Sequence, residues 1–258
     1  MGIKLSITKL QLPMRYQKYR LIPTTNGVMS TVYLLDNLYV LKIFDRGVSV
    51  ESEISILNSL KNLSIPKVID RFQIDGLEAI VYSQIKGEIV YNPNLNQIRE
   101  LGNFLQQFHR QSSKLEIKTQ SPFSKKQLKS LILFTGNRSL LKIFNSISLT
   151  LQDDGIIHGD IFMDNCKFIG DRLSGVYDFS NASLGDFHFD LAVISMNVSF
   201  VQNGLDINRV KTLLSSYGSN IDIELFKYYI KYALLYYATM RYIGGREYRI
   251  FLKYIQLF

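Results

Sequence analysis

Along residues 20–83 the apolar positions predict strand, turn, strand, helix, strand, strand. Thr31, Val32, Tyr33, Leu34 and Leu35 form one β-branched and aromatic run, and residues 38–44 (Leu-Tyr-Val-Leu-Lys-Ile-Phe) form a second. Asp36-Asn37 between them is a tight-turn pair, so the two runs read as an antiparallel hairpin. Over residues 50–63, Ile54, Leu57 and Leu60 follow helical spacing with Ile56 and Leu63 flanking, and Pro66 stops the helix. Two more strand-like runs, 67–74 and 77–85, meet at Asp75-Gly76, a second hairpin signal.

Past Gly87 the pattern changes to helices. Leu95, Ile98, Leu101, Leu105 and Phe108 give one apolar face to a helix reaching about His109. A second helical stretch covers roughly residues 125–151, broken near Gly136-Asn137, and a last group runs from about Asp206 to the end, with short strands and loops over residues 156–190. These elements predict an α+β chain of two lobes: residues 1–84, an antiparallel sheet with one helix, and residues 85–258, mainly helical.

Composition narrows the class. Of 258 residues 47% are hydrophobic and 20% charged, which excludes disordered, collagen-like and coiled-coil chains. One Cys and three His cannot assemble a disulfide or a structural zinc cluster, so a cytoplasmic setting is expected. No apolar run is long enough for a membrane span, and the N-terminus lacks a secretory core. Met1-Gly2 with Ser6 satisfies the myristoylation pattern, one that chance often supplies. The net charge of +8 leaves a phosphate-rich ligand, a nucleic acid or an acidic membrane as partners. Lys114, Lys118, Lys125, Lys126 and Lys129 read as a solvated face.

The densest reactive cluster is His158-Gly159-Asp160-Ile161-Phe162-Met163-Asp164-Asn165, followed by Gly175-Val176-Tyr177-Asp178-Phe179. Asp160 and Asn165 share a loop, and Asp178 ends a short strand beyond a hairpin at Gly170-Asp171, so three oxygen-bearing side chains can converge. Such ligands suit Mg²⁺, which proteins hold with one or two carboxylates plus substrate phosphates. A nucleoside triphosphate is the implied partner.

These two motifs resemble the catalytic loop and metal-binding strand of protein-kinase-like small-molecule kinases, the superfamily of aminoglycoside phosphotransferases, choline kinases and homoserine kinases. The resemblance implies the bilobal kinase-like fold, with the first lobe binding nucleotide and the second carrying catalysis and the acceptor. It also implies a strand lysine on the nucleotide phosphates, held by a helix glutamate. Lys42 fills the first role, and Glu53 the second, with Glu51 the alternative because the two cannot share a helix face. Residues 25–33 stand where the family places its phosphate-covering loop, with Ser30 as a phosphate contact. By the same resemblance Asp160 orients the acceptor hydroxyl and takes its proton, Asn165 and Asp178 hold Mg²⁺, and ATP or GTP is the donor. Asp190 braces the catalytic loop, His158 and His109 are structural, His188 has no assignment, and Cys166 is an inert buried thiol.

Ser180 stands where a protein kinase has Gly, and only twelve positions separate Asp178 from Asp190, leaving no room for an activation segment. A small alcohol is therefore the expected acceptor, and no protein substrate. Phe162, Leu173, Ala182 and the aromatic residues of 228–242 look most like homoserine kinases, with choline or ethanolamine kinases next and an antibiotic-modifying aminoglycoside phosphotransferase as the alternative. Arg241, Arg246 and Arg249 are candidates to grip an acceptor carboxylate or phosphate, against the plainer reading of surface arginines. Outside catalysis stand a basic nucleic-acid-binding module and a pseudokinase scaffold. The first would need basic and aromatic residues interleaved on one surface, and the second is disfavoured by the intact lysine, glutamate and metal set.

Overall fold

The computed structural model describes residues 5–24, 30–48, 50–116, 121–201 and 204–258. Most of the phosphate-loop segment (25–29), residues 1–4 of the myristoylation pattern and Lys118 lie outside the described residues.

Five strands, β1 (Leu21–Pro23), β2 (Ser30–Leu35), β3 (Tyr39–Phe44), β4 (Val68–Ile74) and β5 (Leu77–Ser83), form an antiparallel sheet in the order β1-β2-β3-β5-β4. Both predicted hairpins form. Asp36 and Asp75 take φ 50° and Gly76 φ 76°, the left-handed backbone that matches a tight turn to the strand twist. Helix α1 (Glu51–Ser59) lies between β3 and β4. It stops four residues short of the predicted end because Leu60 is extended and Asn62 turns left-handed, at φ 57°.

Strand alternation gives the sheet two apolar faces. Tyr33, Leu35, Leu41, Ile43, Ala79 and Val81 are buried beneath Ile7, Leu12 and Tyr16 of the N-terminal segment. On the opposite face Phe44, Ile80 and Tyr82 join α1 and the helical region in one continuous core. Lys42 sits on this inner side, opposite Ile80 in the register.

The helical region begins with α2 (Leu95–Ser112), capped by Asn94 and Gln97 in reciprocal hydrogen bonds. Helices α3 (Lys125–Thr135) and α4 (Arg138–Ser146) divide at Gly136, whose φ of 66° ends the first, and Asn137 caps the second; residues 147–151 are not helical. Three short antiparallel pairs follow: β6 (Gly155–Ile157) with β9 (Ser183–Gly185), β7 (Cys166–Ile169) with β8 (Arg172–Val176), and β10 (Phe200–Val201) with β11 (Gly204–Leu205). Helix α5 (Phe187–Val198) was not expected from the pattern; it is the innermost helix, with Leu191, Ala192, Val193 and Ile194 fully buried. The chain ends in α6 (Ile207–Tyr217), α7 (Ile223–Ile243) and α8 (Arg249–Ile255). No helix of the described residues is long and apolar enough to cross a membrane.

Candidate active site

Two short pairings assemble the site. Cys166 is opposite Val176, and the Tyr177 amide donates to the Asn165 carbonyl at 3.0 Å, so the β7–β8 hairpin sets Asn165 and Asp178 at adjacent strand ends. Ile157 is opposite Ser183, which brings the residues after β6 beside those before β9. Asn181 Nδ2 accordingly donates to Asp160 Oδ2 at 3.2 Å.

Lys42 reaches across from the sheet. Its buried Nζ donates to Asp178 Oδ1 at 2.8 Å and to Ser180 Oγ at 2.5 Å, and lies 3.6 Å from Glu53 Oε2. Burial opposes the ammonium charge, but Asp178 and Glu53 outweigh it and raise the lysine pKa. Burial likewise acts upward on Asp178, where Lys42 and the Ser180 hydroxyl prevail and hold the carboxyl at about 2. Glu53 is pushed up by burial, because Lys42 stands closer to Asp178 than to it; Tyr82 donates to Glu53 Oε1 at 3.1 Å. Glu51, the sequence alternative, points elsewhere and pairs with Arg71 at 2.7 Å. Asp178 itself adopts φ 65°, unusual for a residue with a Cβ and of the kind that clusters at functional sites.

Asp160 stands on the loop after β6. Burial and the Asp178 charge raise its pKa to about 7, against the lowering effect of Tyr237 and Asn181. The Tyr237 hydroxyl of α7 lies within hydrogen-bond reach of the Gly159 carbonyl and of Asp160 Oδ1, the latter at 3.3 Å, and can donate its one proton to either. Asn165 Nδ2 donates to the Asp160 carbonyl at 2.8 Å, while no donor among the described residues engages its Oδ1. The pair of Asn165 Oδ1 and the Asp178 carboxylate fits Mg²⁺ in its usual mode, few protein oxygens completed by substrate phosphates. Among the described residues no group of three or more His, Cys, Asp or Glu forms a metal cage.

The loop is held from below by Asp190, fully buried, which accepts from the His158 and Gly159 amides at 2.7 Å each and lies 3.1 Å from His109 Nε2. His109 also contacts the Tyr217 hydroxyl at 3.0 Å and stacks on Phe187. His158 Nε2 donates to the Tyr177 carbonyl at 3.1 Å, leaving Nδ1 to accept from the Asp160 amide. Burial lowers its pKa, so the ring is a neutral support and not a base. Burial drives the Cys166 thiol upward, keeping it inert.

Lys42, Glu53 and Asp178 thus form one ion network, and Asp160 and Asn165 a hydrogen-bonded pair on the adjoining loop. Ser30 is buried at the start of β2 opposite Phe44, and no hydrogen bond among the described residues joins it to this group. Arg241 lies over the Phe251 ring and Arg249 over Tyr248 near Glu247, at the molecular surface. Lys125 is not a solvated lysine, since its Nζ donates to the Ile147 and Leu149 carbonyls. His188 contacts Asp186 and Ser219, away from Asp160. A separate cleft, lined by Phe123, Lys125, Leu149, Gln152, Asp186 and Phe189, includes none of the six predicted site residues. Sequence reasoning missed Asn181, Tyr237 and the bonding of Ser180. The β6–β9 register would have exposed Asn181, whereas nothing local marks Tyr237, 77 positions from Asp160.

Known proteins resemble this chain in sequence and in fold. The model of the phosphotransferase enzyme family matches residues 21–224. Homoserine kinase of Sinorhizobium medicae is 25% identical over 226 residues, covering 75% of this chain and 68% of the relative. That of Parvibaculum lavamentivorans is 36% identical over 95 residues, covering 36% and 30%. Among solved structures, the GDP complex of wild-type aminoglycoside 2'-phosphotransferase-IIIa superposes with a TM-score of 0.65 at 15% identity, covering 92% of this chain and 91% of the other. Choline kinase LicA from Streptococcus pneumoniae gives 0.66 at 18% identity, covering 93% and 94%.

Proposed function

Since the chain belongs to the phosphotransferase enzyme family and is a small-molecule kinase, we propose that it transfers the terminal phosphate of ATP or GTP to the hydroxyl of a small amino alcohol, homoserine-like or choline/ethanolamine-like. The observation that carries this reading is the Lys42–Asp178–Glu53 network with Asp160 near enough to feel the Asp178 charge. Phosphoryl transfer asks for positioning and charge neutralisation more than covalent chemistry. In this reading Lys42 exchanges Asp178 for the nucleotide's phosphates, with Glu53 and Tyr82 fixing the helix side. Asn165 Oδ1 and Asp178 would hold Mg²⁺, which would supply positive charge to the phosphate oxygens. Asp160, oriented by Asn181 and Tyr237, accepts the proton of the acceptor hydroxyl, and its pKa of about 7 matches a base working near neutrality.

The homoserine kinase relatives favour the amino alcohol over an aminoglycoside. A screen of homoserine, choline, ethanolamine, sugars and aminoglycosides with Mg²⁺ and each nucleotide tests this. One acceptor class should react, and Asp160→Ala should lower its kcat by about 10²–10⁴-fold with the fold intact. Equal turnover by wild type and variant would sink the assignment.

A further inference from the structure

Residues 121–152 carry five Lys and Arg and no Asp or Glu, so this stretch alone holds five of the chain's net +8 charges. None of the five enters the proposed phosphoryl transfer. Lys125 turns inward to the Ile147 and Leu149 carbonyls. Lys126 and Lys129 of α3 and Arg138 and Lys142 of α4 are exposed, and the ion pairs among the described residues engage none of these four.

The same stretch leaves apolar surface in solvent. Leu131-Ile132-Leu133-Phe134 closes α3, yet of the four only Ile132 is buried; Leu133 is 55% exposed and Phe134 81%. Leu128 and Ile132 turn one side of α3 inward, and at about 100° per residue this puts Lys126, Ser130, Leu133 and Phe134 on the opposite side. Leu140 and Phe144 do the same in α4 and turn Arg138 and Lys142 outward. The two helices pack on each other and on α7, so both outward sides turn away from α7.

That combination selects a partner. A second copy of the chain is disfavoured, because a two-fold contact through this face sets cation against cation. Two apolar side chains also supply little of the roughly 1,200–2,000 Å² that a stable interface buries. A nucleic acid would satisfy the cations but give Leu133 no ring to stack with a base. An anionic lipid surface satisfies both kinds of group, with phosphates at the headgroups and hydrocarbon just beneath them.

We propose that the outward face of α3 and α4 docks on an anionic lipid surface. Leu133 and Phe134 enter the boundary between headgroups and acyl chains, while Lys126, Lys129, Arg138 and Lys142 pair with lipid phosphates. This property stands apart from the phosphotransferase reading and does not depend on it.

The test is co-sedimentation of the full chain with vesicles of phosphatidylcholine alone and with about one third phosphatidylglycerol. The anionic vesicles should bind about tenfold or more tightly than the neutral ones, and the difference should fade at about 0.5 M salt, where charges are screened. Lys126→Gln with Lys142→Gln should weaken binding by about twentyfold, a charge near such a surface being worth about fivefold. Leu133→Ser with Phe134→Ser should weaken it by about tenfold at low salt. All four side chains are exposed, so both double variants should keep the wild-type melting temperature; if the apolar pair does not fold, Phe134→Ser alone must show the loss. Equal binding to both kinds of vesicle, or binding unmoved by the variants, overturns the proposal. So does oligouridylate that displaces the vesicles and loses affinity in the same variants, which would assign the face to nucleic acid.

Discussion

Asp160 and Asp178 are two carboxyls of one site driven in opposite directions. Burial raises both, but Lys42 and Ser180 reverse the effect at Asp178 and bring it to about 2, while Asp160, bonded to no cation among the described residues, stays near 7. The sign at Asp160 follows. Its folded pKa exceeds the ordinary value, so the fold favours the neutral acid, and ionisation in the folded state comes only as pH rises through about 7. As the proposed base it works only when ionised, so kcat/KM, which reports the free enzyme, should climb tenfold per unit below pH 7 and level above it. Tyr237→Phe removes a hydroxyl that favours the carboxylate. Its acid limb should move upward, and kcat/KM at neutral pH should fall by about three- to tenfold; a profile unmoved by the substitution would remove Tyr237 from this role.

Among the elements, the loop after β6 is fixed less by its own sequence than by α5, whose Asp190 accepts two of its amides. Asp190→Ala strands both buried N–H groups and the His109 nitrogen, and should cost about 3–5 kcal/mol in denaturant unfolding. The same helix marks the limit of what sequence discloses. The hairpins could be read from their β-branched and aromatic runs and from the turn residues Asp36 and Asp75, and α1 and α2 because each helix has one buried and one wet face. Helix α5 is apolar all round, so no period separates its faces, and it escaped notice although it supports the site. Within the candidate site, Asp160, Asn165 and Asp178 could be grouped from type and spacing, whereas Lys42 and Glu53 came from the family resemblance, which left Glu51 open until the structure paired it with Arg71. Ser180 was visible only as a departure from Gly, and its bonds to Lys42 and Asp178 needed three dimensions. Of the C-terminal arginines, whose plainer reading was as surface residues, Arg246 and Arg249 are exposed and Arg241 is half-buried against Phe251.

In the whole molecule the two apolar clusters divide the labour of stability. The larger joins the sheet's inner face to the helices; the smaller closes the outer face under Ile7, Leu12 and Tyr16. We propose that the outer cluster, built from residues 1–84 alone, opens separately from the core that residues 1–84 share with residues 85–258. Tyr16→Ala should then cost about 3 kcal/mol, and hydrogen exchange should show protection lost in the sheet while α5 and α7 keep theirs. Uniform loss across the chain would argue for a single unit. Helix α7 ties into the helical region through three of its six tyrosines: Tyr229 donates to Asp186 Oδ2 at 3.1 Å, Tyr232 to the Phe123 carbonyl at 2.6 Å, and the Tyr237 hydroxyl lies against the Gly159 carbonyl. Since each residue turns a helix by about 100°, these three hydroxyls keep fixed rotational phases. A relative's helix spliced in to alter the acceptor works only if its own hydroxyls arrive in the same phase, so the free face of α7 can be redrawn residue by residue while its length is closed to editing.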